Sequence, residues 1–163
     1  MDTFLKKILI RNQLFSGQTL IETLAAIAII TVVITAMGIS VTTALSNAEF
    51  NQNETLATKY AQQGTEIMQQ IRDDNYPVFQ TYNGIYCLSK GQTSLGSVQS
   101  GCTVPNVDKF IRSIQIQQNA CANNVSKVTV TVSFTDGKCQ SNTYCHSEVD
   151  TSCLSIVNPV QSP

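Results

Sequence analysis

The chain has 163 residues, with 10 lysines and arginines against 11 aspartates and glutamates. This length accommodates one domain together with a tail or an anchor. The sequence has no basic face and no interleaving of basic with aromatic residues, so it gives no support for direct nucleic-acid binding. Sparse charge and abundant Gln, Asn, Ser and Thr suit an exported surface better than a cytosolic enzyme.

Residues 1–17 form a basic leader. Lys6, Lys7 and Arg11 stand against Asp2, which gives this segment a net charge of +2, while the rest of the chain carries −3. Positive charge flanking a membrane segment favours the cytoplasmic side. We therefore predict that this end of the chain stays in the cytoplasm.

An apolar run follows the leader. Leu24 to Val41 contains no charged residue, and Leu20 and Ile21 extend the run upstream past Glu22. The run approaches the roughly 20 residues that span a bilayer. Its many β-branched residues favour a strand in water, but lipid forces the backbone to satisfy its own hydrogen bonds, so we predict a helix. A carboxylate at the edge of such a segment is costly, so Glu22 is a candidate functional residue that needs a partner.

Three interpretations of this segment compete. The first is a secretory signal peptide cleaved after Ser46-Asn47-Ala48, although the apolar run is longer than is usual for one. The second is a plain signal-anchor helix, which leaves Glu22 and the Ser16-Gly17 dipeptide unexplained. The third gives those two features a joint purpose and depends on the resemblance described below.

The polar stretch from Asn47 to Arg72 keeps an apolar stripe at helical spacing. The members of the stripe are Phe50, Ala57, Tyr60, Gly64, Ile67 and Ile71. No proline or loop signal separates the stripe from the apolar run. We therefore predict one helix from about Thr19 to about Asp73, ended by Pro77, which disfavours helical geometry in the residue before it.

The sequence after the helix predicts a small sheet. Residues 78–109 are irregular and rich in glycine, with a short edge strand expected at 84–88. Residues 110–117 and 127–135 alternate apolar and polar side chains, which is typical of half-buried antiparallel strands. A third, weaker strand is expected within 147–157. The predicted fold is α+β: a long N-terminal helix, transmembrane in its first half, whose second half packs on a disulfide-stapled antiparallel sheet of three or four strands.

All six cysteines lie in the second half of the chain. An even number of cysteines in one exported region predicts up to three disulfides. The cysteines are Cys87, Cys102, Cys121, Cys139, Cys145 and Cys153. Proximity in sequence suggests the pairs Cys87–Cys102 and Cys139–Cys145, which leaves Cys121–Cys153. The alternative is a zinc site built from Cys139, Cys145, His146 and Cys153, although no pair has CxxC spacing.

The sequence contains no recognisable catalytic constellation, so we expect neither an enzyme nor a bound cofactor. His146, the single histidine, lies in a cysteine-rich stretch, which favours a loop residue over a catalytic base. Asp136, Glu148 and Asp150 are weak candidates for calcium ligands at one end of the sheet. The simpler interpretation is that these three carboxylates are solvated.

The stretch Gly17-Gln18-Thr19-Leu20-Ile21-Glu22 resembles the signature of type IV pilins and pseudopilins. In that family a basic leader ends in glycine, and a glutamate is the fifth residue of the mature chain, as Glu22 is when counted from Gln18. The resemblance implies that prepilin peptidase cuts between Gly17 and Gln18 and methylates the new amine. The family usually has Phe at the position of Gln18, so methylation is the weaker of the two implications.

The resemblance also implies an organisation for the chain. Residues 1–17 would be removed, 18–42 would form the transmembrane and assembly helix, 43–75 its amphipathic continuation, and 76–163 an exported β head with cysteine-bracketed loops. Glu22 would be the assembly contact, paired with the amine of a neighbouring subunit.

The implied function is that of a structural subunit in a type IV pilus-like or type II secretion-like filament. Its partners would be prepilin peptidase, other pilin or pseudopilin subunits, the inner-membrane assembly machinery and the lipid bilayer. The subunit would cross the bacterial cytoplasmic membrane once, with the head outside, and then enter a cell-surface or periplasmic filament. The alternative is a membrane-tethered or secreted disulfide-rich binding module that uses its N-terminus only for export.

Overall fold

The computed structural model of the protein describes residues 16–139 and 144–155; Lys6, Lys7 and Arg11 of the predicted leader lie outside these ranges. The chain divides into two compact units, Met1–Asn47 and Ala48–Pro163. The elements in chain order are α1 (Ser16–Asp74), α2 (Tyr76–Phe79), β1 (Gly84–Cys87), β2 (Ile111–Ala122), β3 (Val125–Phe134) and β4 (His146–Leu154). The second unit contains both the end of α1 and the whole sheet, so the fold is α+β as predicted.

Helix α1 begins at Ser16, three residues before the predicted start, and includes Gly17. It ends at Asp74, close to the predicted end. The chain then forms the short helix α2, which the sequence analysis did not anticipate. The Asn75 side chain caps α2, since its Oδ1 accepts a hydrogen bond from the Val78 amide at 3.2 Å. Pro77 lies in the first turn of α2, where its missing amide hydrogen costs nothing.

The second half of α1 packs on one face of the sheet. The centre of its buried face consists mostly of small or unbranched residues: Asn53, Ala57, Ala61, Gly64, Thr65 and Met68. The larger members of the predicted stripe, such as Phe50 and Ile71, are only partly buried and line this face. The predicted stripe was therefore correct for Ala57 and Gly64 and lacked Ala61, Thr65 and Met68. Its large members line the contact, because close approach of the helix to the sheet requires small residues at the centre.

The sheet has four antiparallel strands in the order β1-β2-β3-β4, so each strand pairs with the one before it in the chain. Strand β3 alternates strictly between buried and half-buried residues. Val130 pairs with Ile114 on β2 and with Asp150 on β4. The inward side chains of β2 and β3 form the core with Phe79, Tyr86 and Phe110.

The connection between β2 and β3 depends on two asparagines with left-handed backbones. Asn119 has φ 60° and Asn124 has φ 61°. Asparagine adopts this region more readily than most residues. The Asn124 amide donates a hydrogen bond to Asn119 Oδ1 at 2.9 Å. The pairing register shifts between Gln117 and Ala122, so β2 extends five residues beyond the predicted end at 117.

Candidate functional site

The first half of α1 presents an apolar surface that no described residue covers. Thirteen large apolar side chains between residues 20 and 45 are each 44 to 71 % exposed. At roughly 1.5 to 3 kcal/mol for each side chain, removing this surface from water would be favourable by an amount on the order of 20 kcal/mol. Within the described residues this helix is the one long and apolar enough to cross a membrane, a property that it shares with signal sequences.

The hydroxyl groups of this segment are satisfied within the helix. Six of them donate hydrogen bonds to carbonyl oxygens three or four residues earlier, at 2.8 to 3.0 Å: those of Thr23, Thr31, Thr35, Ser40, Thr42 and Thr43. These hydroxyls therefore need no water, which is the requirement that a hydrocarbon environment sets. Sequence composition alone makes the segment look more polar than it is.

Glu22 lies at the start of this apolar surface. Its residue is exposed, and within the described residues its carboxylate makes no hydrogen bond or ion pair. Gly17 and Gln18 lie in the first turn of α1, and Gln18 precedes Glu22 by four residues. At about 1.5 Å per residue, the backbones of Gln18 and Glu22 are about 6 Å apart along the axis. The structure therefore places the predicted cleavage residues one helical turn from the predicted assembly carboxylate.

Three disulfides cross-link residues of the head. The pairs are Cys87–Cys102, Cys121–Cys153 and Cys139–Cys145, with sequence separations of 15, 32 and 6. They are the same pairs that sequence proximity suggested. The alternative zinc site fails in the form proposed, because Cys153 is bonded to Cys121 and lies at the far end of β4 from His146.

The three calcium candidates do not form one site. Asp136 Oδ1 lies 3.1 Å from His146 Nε2, at the beginning of β4. Asp150 is four residues further along the strand, about 13 Å away at 3.3 Å per residue, and its Oδ2 accepts a hydrogen bond from the Thr65 hydroxyl at 2.6 Å. Glu148 lies between them on the same strand. The prediction that their carboxylates meet was wrong, because Glu148 and Asp150 follow His146 along β4 in steps of two residues, which carries Asp150 away from Asp136.

Arg112 is the most unusual polar residue of the core, and the sequence analysis missed it. Its side chain is completely buried on β2. The guanidinium donates to the carbonyl oxygens of Leu88, Ser89 and Tyr60 and to Gln63 Oε1, at 3.0 to 3.3 Å. Burial lowers the pKa of Arg112, since no carboxylate contacts it among the described residues. An arginine at an inward position of an otherwise alternating strand was the signal available in the sequence.

A second polar group, which sequence reasoning also missed, lies on the surface beside α1. The Lys90 ammonium lies 2.8 Å from Asp108 Oδ1, and the Tyr60 hydroxyl donates to Asp108 Oδ2 at 2.6 Å. Hydrogen bonds from Lys90 and then Tyr60 lower the pKa of Asp108. The same contact with Asp108 raises the pKa of Tyr60 and that of Lys90. This triad ties the loop before β2 to the helix.

Comparison with protein-family models, with curated proteins and with solved structures found no match for this chain. Its two distinguishing features are the uncovered apolar surface of residues 20–45 with Glu22 at its start, and the disulfide-stapled head. The first of these is the candidate functional site.

Proposed function

We propose that the protein is a structural subunit of a type IV pilus-like or type II secretion-like filament. The observation that supports this most strongly is the exposed carboxylate of Glu22, one helical turn after Gln18, at the start of an exposed apolar helix surface and with no hydrogen bond or ion pair to the side chains that the structure describes. A carboxylate in that position is costly unless assembly gives it a partner. Cleavage after Gly17 creates such a partner, the α-amino group of Gln18.

In the proposed cycle the apolar half of α1 lies first in the cytoplasmic membrane, with the leader inside and the head outside. Prepilin peptidase removes residues 1–17. The inner-membrane assembly machinery then transfers the subunit from lipid into a bundle of like helices. The apolar surface stays out of water in both environments, so the transfer exchanges lipid contacts for helix contacts.

Glu22 gives this bundle its register. The ammonium of one subunit and the Glu22 carboxylate of its neighbour neutralise each other where either would be costly alone. A single pair of charges on an otherwise uncharged surface favours one axial offset between helices, as a single buried polar residue does in coiled coils. The self-satisfied hydroxyls of the segment impose no competing register, since they bond within their own helix.

The first experiment is mass spectrometry of the mature N-terminus from membranes of the native host. The proposal expects a chain that begins at Gln18. A chain that begins at Glu49 would instead support a secreted disulfide-rich binding module, and an intact Met1 would support a plain membrane anchor. The same spectrum shows whether the Gln18 amine carries a methyl group.

The second experiment replaces Glu22 with Ala and measures the subunit in sheared filaments relative to the membrane fraction. Incorporation should fall by about tenfold or more, because an unpaired buried charge costs several kcal/mol. Membrane insertion and head folding should not change. Glu54→Ala is the matched control, since Glu54 is an exposed glutamate on the same helix. Normal incorporation of the Glu22→Ala subunit would contradict the assembly role.

A further inference from the structure

Four side chains that are typical metal ligands lie together where the chain enters β4. They belong to Asp136, Cys139, Cys145 and His146, and one ligand atom from each lies within 4.8 Å of the others. Thiolate sulfur, imidazole nitrogen and carboxylate oxygen are the ligands that Zn²⁺ takes in tetrahedral sites, where ligand atoms are about 3.3 to 3.8 Å apart. Zinc geometry therefore requires the more distant pairs of this set to approach by up to about 1 Å, and the two sulfurs, which are bonded to each other here, to separate.

One carboxylate oxygen in this group is buried without a partner. The Asp136 side chain is 3 % exposed, and its Oδ1 accepts the Lys138 amide hydrogen at 2.9 Å and lies 3.1 Å from His146 Nε2. Its Oδ2 is buried and has no hydrogen-bond partner among the described residues. An unsatisfied buried acceptor is costly, so this oxygen remains available as a ligand atom.

The imidazole of His146 is already oriented by two rings. Phe50 of α1 contacts it edge-on with ring centroids 5.0 Å apart, and Phe134 of β3 stacks on it at 5.2 Å. A ligand held in place before the ion arrives loses little freedom on binding, as the outer shells of metal sites achieve elsewhere. Asp136 and His146 are therefore prearranged, and the two sulfurs decide whether an ion can bind.

The sulfurs of Cys139 and Cys145 are bonded to each other in this structure. Their sequence separation of 6 is the shortest of the three disulfides, so closing this loop restricts the unfolded chain least. Cys145 is exposed, as are both cysteines of the Cys121–Cys153 pair. Loop length is what distinguishes Cys139–Cys145, since this is the disulfide that reduction can open at the smallest loss of stability.

We propose that Asp136, Cys139, Cys145 and His146 form a redox-controlled site for Zn²⁺ or a similar thiophilic divalent ion. A dithiol reductant attacks the sulfur of Cys145, the Cys139–Cys145 bond breaks, and the reductant leaves as its own disulfide. Both cysteines are then thiols, and each loses its proton when the ion binds. Re-oxidation by a protein disulfide re-forms the bond and releases the ion. This set differs from the zinc site expected from sequence, in which Cys153 stood where Asp136 stands.

The first test needs no reductant. In full-length protein in detergent, Cys139→Ser frees the Cys145 thiol while Cys87–Cys102 and Cys121–Cys153 stay closed. Titration with Co²⁺, followed by thiolate-to-cobalt charge-transfer absorption, should show one bound ion in this variant. Oxidised wild-type protein should show no such absorption.

Ligand identity is tested in the same Cys139→Ser background. Adding Asp136→Asn or His146→Gln should weaken Co²⁺ binding by more than about tenfold, since even outer-shell changes at metal sites cost that much. Adding Asp150→Asn should leave it unchanged, because Asp150 bonds to Thr65 instead. Equal affinity in all of these variants, or no thiolate band in Cys139→Ser, would overturn the proposal.

The redox switch is tested by reduction of wild-type protein with a dithiol. Reduced protein should bind Zn²⁺ in competition with Co²⁺, and oxidation should release it. Reduced Cys121→Ser/Cys153→Ser protein should behave in the same way, whereas reduced Cys139→Ser/Cys145→Ser protein should lose the thiolate band. Retention of the band in the latter protein would place the ion elsewhere and refute the assignment.

Discussion

The guanidinium of Arg112 on β2 donates a hydrogen bond to the carbonyl oxygen of Tyr60 on α1, at 3.3 Å. The remaining donors of this side chain bond to the carbonyls of Leu88 and Ser89 in the loop after β1 and to the Gln63 side chain. One buried cation therefore connects the helix, the sheet and the loop through neutral acceptors. These acceptors become unsatisfied if the cation is removed.

Arg112→Met should destabilise the head by about 2 to 4 kcal/mol, because it keeps most of the buried volume and leaves buried carbonyls without donors. Urea unfolding of the full-length protein in detergent measures this. Lys109→Met provides the comparison, since Lys109 is an exposed cation three residues earlier. Similar urea midpoints for the two variants would show that the hydrogen bonds of Arg112 do not stabilise the contact between helix, sheet and loop.

Gly64→Ala tests the close approach of α1 to the sheet. A Cβ at Gly64 would lie 2.7 Å from Cγ1 of the fully buried Val130. Alanine normally favours a helix over glycine by about 1 kcal/mol, but we expect overpacking to reverse the sign and destabilise the head by about 1 to 3 kcal/mol. Adding Val130→Ala should restore part of the loss. Gly38→Ala, with nothing within 4 Å, should not lower head stability; an equal loss there would refute the explanation.

The Lys90–Asp108–Tyr60 triad predicts a dependence of stability on acid. The folded-state pKa of Asp108 is lowered, so its stabilising effect is complete above its unfolded pKa of about 3.9 and is lost as the pH falls through the folded value. Wild-type protein should therefore lose more stability between pH 6 and pH 3 than Asp108→Asn does, in urea midpoints at each pH. Asp74→Asn, at an exposed aspartate at the end of α1, should lose as much as wild type. Equal losses in all three proteins would remove Asp108 from the explanation.

The three disulfides should differ in what they contribute. The loop-entropy description predicts losses of about 2 kcal/mol without Cys139–Cys145, about 3 without Cys87–Cys102 and nearly 4 without Cys121–Cys153, because the enclosed segments lengthen in that order. Pairwise Cys→Ser variants and urea unfolding measure the ranking. A reversed ranking would show that contacts in the folded loops outweigh chain entropy.

The strands and the long helix could be predicted because their patterns are periodic and uninterrupted. Val128 to Phe134 alternate strictly, and no proline occurs between Ser16 and Asp74. The centre of the helix face was predicted only in part: Ala57 and Gly64 fell on the predicted stripe, but Ala61, which also sets the distance to the sheet, carries little hydrophobic signal and did not. Contacts between residues remote in sequence were harder still to predict.

The site residues also differ in whether the sequence could predict them, and local patterns again were easier to recognise than contacts between distant residues. Glu22 stood out because it is a charge in an uncharged run, which is a local anomaly. The grouping of Asp136 with His146, and its separation from Asp150, depend on where the chain turns before β4. Arg112 looked like an ordinary charged residue near a strand end, because three of its four acceptors are backbone carbonyls, which have no sequence signature.

The neighbour-to-neighbour order of the strands also limits the order in which the strand pairs can form during folding. Each strand pairs with its predecessor, so each pairing can form as soon as the second of its two strands is available, with the connection 88–110 between β1 and β2 the longest that has to close before β3 can add. Cys87 can meet Cys102 before β3 has been delivered, whereas Cys121 must wait for Cys153 near the end of β4. Oxidation of the second pair therefore marks the moment at which the sheet is complete.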